Sequence, residues 1–134
     1  MTKTITAYAI TLIVFAAIDA IWLTQVGPTL YKPILGDLLA PRPRLGAAVV
    51  FYLIFIAGIV YFAVLPGLAT GWPTALLKGA ALGFVAYATY DLTNQATLAV
   101  WSTKITVLDM AWGTFVTGVS AMGGTIITGY FFKG

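Results

Sequence analysis

Four apolar runs, separated by short stretches rich in Gly, Pro or polar residues, set the pattern of this chain. Ile5 to Val26 is apolar apart from Asp19 and is long enough, at about 1.5 Å per residue, to cross roughly 30 Å of hydrocarbon. Leu45 to Leu65 carries no charge and reads as scaffold. Thr74 to Leu98 has Lys78 near its start, where a long side chain can snorkel to the interface, and Ile105 to Phe132 is followed by Lys133. The pattern predicts one all-α integral membrane domain over residues 1–134. It holds four transmembrane helices in an antiparallel bundle, with spans of approximately 5–26, 45–65, 74–98 and 105–132.

The breaks are read from Pro and Gly. Gly27-Pro28 is expected to end the first helix and Pro66-Gly67 the second. Between them, Gly27 to Pro43 is a linker bearing Lys32, Asp37 and Arg42, with Arg44 at its edge. Its Leu30-Tyr31 and Ile34-Leu35 pairs suit either a short amphipathic piece lying in the interface or an ordinary hairpin loop. Lys3 ahead of an apolar run resembles a signal peptide, but the run is long and Asp19 is out of place near a cleavage site, so a retained helix is expected. Trp72 and Trp101 fall in connections, at headgroup level.

Composition agrees with the pattern. Hydrophobic residues make up 60% of the 134 and charged residues 8%, with a mean hydropathy of +0.98, which is far outside the range of soluble domains. The chain has no Cys, His or Glu, which excludes a Ser-His-Asp triad, a thiolate nucleophile, His-ligated haem or zinc, and a His-rich di-iron centre. No metal site or cofactor is assigned. A net charge of +3 is too small to suggest nucleic acid and fits contact with anionic headgroups, so the lipid bilayer is the expected partner.

What remains is unusual: three aspartates, Asp19, Asp91 and Asp109, inside apolar runs. A carboxylate near the bilayer centre costs a few kcal/mol, so such a residue is expected to face protein and have a partner. Ala75, Gly79 and Gly83 recur every four residues, and the same step continues to Tyr87 and Asp91, so the close-packing face and the polar face of that helix coincide. In a four-span bundle all three aspartates lie roughly 7–10 Å in from one membrane face. Asp19 shares a helix face with Trp22, Asp91 with Tyr87 and Asn94, and Asp109 with Trp112 and Gly113. Asp-x-x-Trp thus occurs in both the first and the fourth helix.

The expected site is a pocket formed by Asp19, Trp22, Tyr87, Tyr90, Asp91, Asn94, Asp109 and Trp112, in which clustered carboxylates cannot all ionise. Such a site can bind or carry a cation, a proton-coupled solute or a lipid headgroup. The competing reading is a satisfied hydrogen-bond network that fixes helix register, and each tryptophan taken singly is more ordinarily an interface anchor. A lipid-active enzyme with aspartate as acid or base is an alternative, and so is an accessory subunit of a membrane complex. Gly113, Thr117, Ala121, Thr125 and Gly129 form a second small-residue seam. Two seams exceed one intramolecular contact, so at least a homodimer is expected. Lys32, Arg42, Arg44 and Lys104 outnumber Lys3, Lys78 and Lys133, which puts both termini outside the cytoplasm.

Asp19-Ala-Ile-Trp22-Leu23, Phe51-Tyr52-Leu53, Gly83 with Tyr87 to Asn94, Trp101 and Asp109-Met-Ala-Trp112-Gly113 together resemble the small bacterial membrane proteins designated domain of unknown function 2177. The resemblance spans essentially the whole chain and is most specific at Tyr90-Asp-Leu-Thr-Asn94. It implies a multi-pass inner-membrane protein and carries no activity with it.

Overall fold

The computed structural model describes residues 1–36, 39 and 44–132. Asp37, Arg42 and Lys133, which enter the linker and charge readings above, lie outside the described residues. Among the described residues there are four helical rods. The first is α1, Thr2–Gln25, continued by a π-helical turn at Gly27–Tyr31 and the short α2, Lys32–Leu35. The second is α3, Leu45–Ile59, a π-helical turn at Val60–Val64, and α4, Leu65–Thr70. The third is α5, Trp72–Thr97, and the fourth is α6, Thr103–Phe131. By length and composition the first, second and fourth rods are apolar enough to cross a membrane. At 26 residues α5 has the length, but Lys78, Asp91, Asn94 and Gln95 make it more polar.

Two expected stops are corrected. The first rod continues past Gly27-Pro28 to Leu35, and the second past Pro66-Gly67 to Thr70. In each case the proline occupies the first turn of the next helical segment. Its missing N–H has no helical partner to lose there, and its fixed φ suits a helix start. The rods end instead at Gly36 and Gly71, with φ of 50° and 115°, backbone conformations that favour glycine.

The two small-residue seams meet each other. A Cβ built on Gly79 would stand 2.7 Å from the Ala121 methyl and 2.9 Å from the Thr117 carbonyl oxygen, and one on Gly83 would strike the Gly113 carbonyl. The faces of α5 and α6 are thus in backbone contact, antiparallel and in a fixed register. Gly124 receives Thr11 of α1, and Gly67 receives Thr125. The surplus surface from which a dimer was expected is therefore largely occupied within one chain; Gly129 alone of the seam meets open space.

A small apolar core closes the bundle around Phe15, Ile56, Ile59, Val64 and Val116, with Phe15 edge-on to Phe55 and Tyr52. Large apolar side chains such as Ile13, Ile54, Leu77 and Phe115 point outward, as a lipid-solvated bundle requires.

Candidate functional site

Two of the aspartates stand at one depth by helix count, Asp91 six residues before the end of α5 at Thr97 and Asp109 six after the start of α6 at Thr103. Asp19, in a rod that runs on to Leu35, is tied to that level by the indole of Trp112. The antiparallel register of α5 and α6 sets Gly83 on Gly113 and so carries Asp91 toward Asp109. Asp91 is fully buried and Asp19 nearly so, while Asp109 is half-buried.

Each carboxylate has a different set of neighbours. Asp19 accepts a hydrogen bond at Oδ1 from the indole Nε1 of Trp112, at 3.0 Å, and another at Oδ2 from the hydroxyl of Tyr52. Asp109 accepts at Oδ1 from the hydroxyl of Tyr31, at 2.5 Å. That hydroxyl in turn accepts from Trp22 Nε1 at 3.2 Å. Asp91 lies within reach of the Asp109 carboxyl, yet neither of its oxygens meets a donor among the described residues. Two carboxylates offer each other only acceptors, so this pair calls for a proton or another positively charged donor between or beside them.

The two Asp-x-x-Trp segments are crossed. Trp112 of the second reaches Asp19 of the first, and Trp22 of the first reaches Asp109 of the second through Tyr31. The two indoles stack face to face, with centroids 4.4 Å apart and planes 10° from parallel. Hydrogen bonds to ionised groups are the strong ones and aromatic pairs add about 0.5–1.5 kcal/mol beyond burial, so this junction locks the first rod to the fourth.

Above the junction is a cavity of about 710 Å³ toward the membrane face shared by the 27–35 extension and the 98–102 connection. Asp19, Trp22, Tyr87, Tyr90, Asp109 and Trp112 line it, joined by Tyr31, Tyr52, Trp101 and Lys32. A second space of about 350 Å³ shares Tyr87, Tyr90 and Asp109. Volumes of this order suit a small ligand. Tyr87 stands near all three aspartates, and its ring covers Gly113.

Of the residues singled out from sequence, Asp91 and Asn94 do not line the larger cavity: Asp91 lies behind Asp109, and Asn94 is beside Tyr90. Among the described residues no three acidic side chains come close enough together to hold one metal ion; Asp91 is near Asp109, and Asp19 is bound by Trp112. Tyr31 and Tyr52 were missed. The second helix is also more than scaffold, because Tyr52 supplies a donor to Asp19. Two signals could have flagged it: Phe51-Tyr52-Leu53 is among the segments that carry the resemblance, and Tyr52 is seven residues in from Leu45, level with the aspartates.

The chain belongs to the family described as predicted membrane protein (DUF2177), whose model matches residues 4–126. Neither the curated proteins nor the solved structures contain a match.

Proposed function

We propose that this member of the family is an inner-membrane binding protein or carrier for a positively charged, ammonium-bearing ligand, taken up in the cavity between Asp19 and Asp109. One observation carries the reading: both carboxylates reach an aromatic-walled cavity while their hydrogen bonds come from neutral donors, the hydroxyls of Tyr31 and Tyr52 and the indole of Trp112. Neutral donors hold a carboxylate in place and leave its charge uncancelled. A cation entering the cavity would meet that charge in a poorly screened interior and find indole and phenol faces around it. Asp91, buried beside Asp109, meets no donor among the described residues and so leaves acceptor capacity next to the site unfilled.

The test is a titration of the purified full chain, followed by intrinsic fluorescence, with hexylammonium and with hexanol. Trp22, Trp101 and Trp112 line the cavity, so Trp72→Phe leaves a signal from the site alone. Hexylammonium should saturate the signal, and Asp109→Asn should weaken it about tenfold or more, a loss of roughly 1.4 kcal/mol. Equal response to hexanol would show that only apolar partitioning is being read and would sink the proposal.

A further inference from the structure

The cavity has an order of charge and an apolar side, and together they point to the class of ligand. We infer that the ligand is a phospholipid with a primary amine in its headgroup, the amine seated at Asp109 and the phosphate held at the mouth by Lys32; this rests on the reading of the cavity as an ammonium site.

Three features support it. Lys32 is exposed yet lines the same cavity as Asp19 and Asp109, so positive charge stands at the rim and negative charge inside. A simple cation gains nothing from a lysine at the entrance and is repelled by it, whereas a zwitterion with its amine leading and its phosphate trailing matches both charges. Leu23 of the first rod and Leu45 of the second also line the cavity while being 54% and 70% exposed. Both belong to rods apolar enough to span the membrane, so the cavity borders the bilayer there and leaves acyl chains outside, against lipid.

The acceptors choose the type of amine. Tyr31 occupies Asp109 Oδ1, and Oδ2 of this half-buried, cavity-lining carboxylate has no donor among the described residues. Acceptors in that condition are satisfied by N–H groups, which a primary ammonium has and a quaternary one lacks. Aromatic walls alone would suit either.

The experiment titrates the full chain carrying Trp72→Phe, in maltoside micelles, with dihexanoyl phosphatidylethanolamine, phosphatidylcholine and phosphatidylglycerol and with hexylammonium. The expected result is that the ethanolamine lipid binds about tenfold or more tightly than each of the others. Lys32→Gln should then weaken the ethanolamine lipid and remove most of its advantage over hexylammonium, whose own binding should hold or tighten slightly once the repelling charge is gone. If hexylammonium binds as well as the ethanolamine lipid, or Lys32→Gln changes nothing, the lipid assignment is wrong and the ammonium site stands. If the choline or glycerol lipid matches the ethanolamine lipid, recognition of a primary amine is wrong. No saturation by any amine overturns both readings.

Discussion

Trp112 donates its indole N–H to Asp19 across the bundle, from the fourth rod to the first, at 3.0 Å. The same indole lies flat against Trp22, three residues along from that aspartate. One side chain therefore fixes the position of the Asp19 carboxylate and also one wall of the cavity.

Trp112→Phe keeps a ring for the stack and removes the donor. It should lower stability by about 1–3 kcal/mol, the cost of losing a hydrogen bond to a charged group. Tyr52→Phe strikes the other oxygen of the same carboxylate, so the two losses should be non-additive. A double-mutant cycle by thermal unfolding in detergent checks this, and simple additivity would mean that the two donors do not share one acceptor.

Asp91→Asn and Asp109→Asn should differ in sign or size although both remove one carboxylate. Asp91→Asn turns one of two facing acceptors into a donor, so stability should hold or rise. Asp109→Asn leaves Tyr31 donating to a neutral amide in place of a carboxylate and should cost about 1 kcal/mol or more. Midpoints measured side by side decide it; a large loss from Asp91→Asn alone would show that its charge supports the fold.

Gly83→Ala should destabilise by at least about 1–3 kcal/mol, because the new methyl meets the Gly113 backbone, which cannot swing aside as a side chain can. Gly129→Ala, with open space around it, should be neutral or slightly stabilising through helix propensity. If both behave alike, the close approach of α5 and α6 is not what holds the bundle together.

Of the cations that set the orientation, Lys32, Arg44 and Lys104 lie on the cavity's face and Lys3 and Lys78 on the other. With the cavity's face toward the cytoplasm, Ala99→Cys should resist a membrane-impermeant maleimide added to intact cells and react once they are opened. Labelling before opening would reverse the orientation.

Much of this architecture can be read from residue order. Apolar runs marked the rods, and the four-residue step from Gly79 to Asp91 marked the face that turns inward, because both signals are periodic and local. Pro28 and Pro66 misled, since a proline in the first turn of a new segment and a proline after a helix look alike until the backbone is traced. Tyr31 carried no mark of its own. Its role depends on the first rod passing Gly27 and extending to Leu35, so the same misreading that shortened the helix hid the donor to Asp109.

The crossed Asp-x-x-Trp junction also constrains how the protein is made. Asp19 leaves the ribosome with the first helix, but one of its two donors, Trp112, arrives only with the last. Until the fourth rod enters the bilayer the nascent chain holds a carboxylate that is only partly satisfied, and the cavity lacks a wall. The folded site is therefore an end-to-end check on synthesis: a chain truncated after the third helix would sit in the membrane with an unfinished polar core, the kind of exposed defect that membrane quality control can recognise.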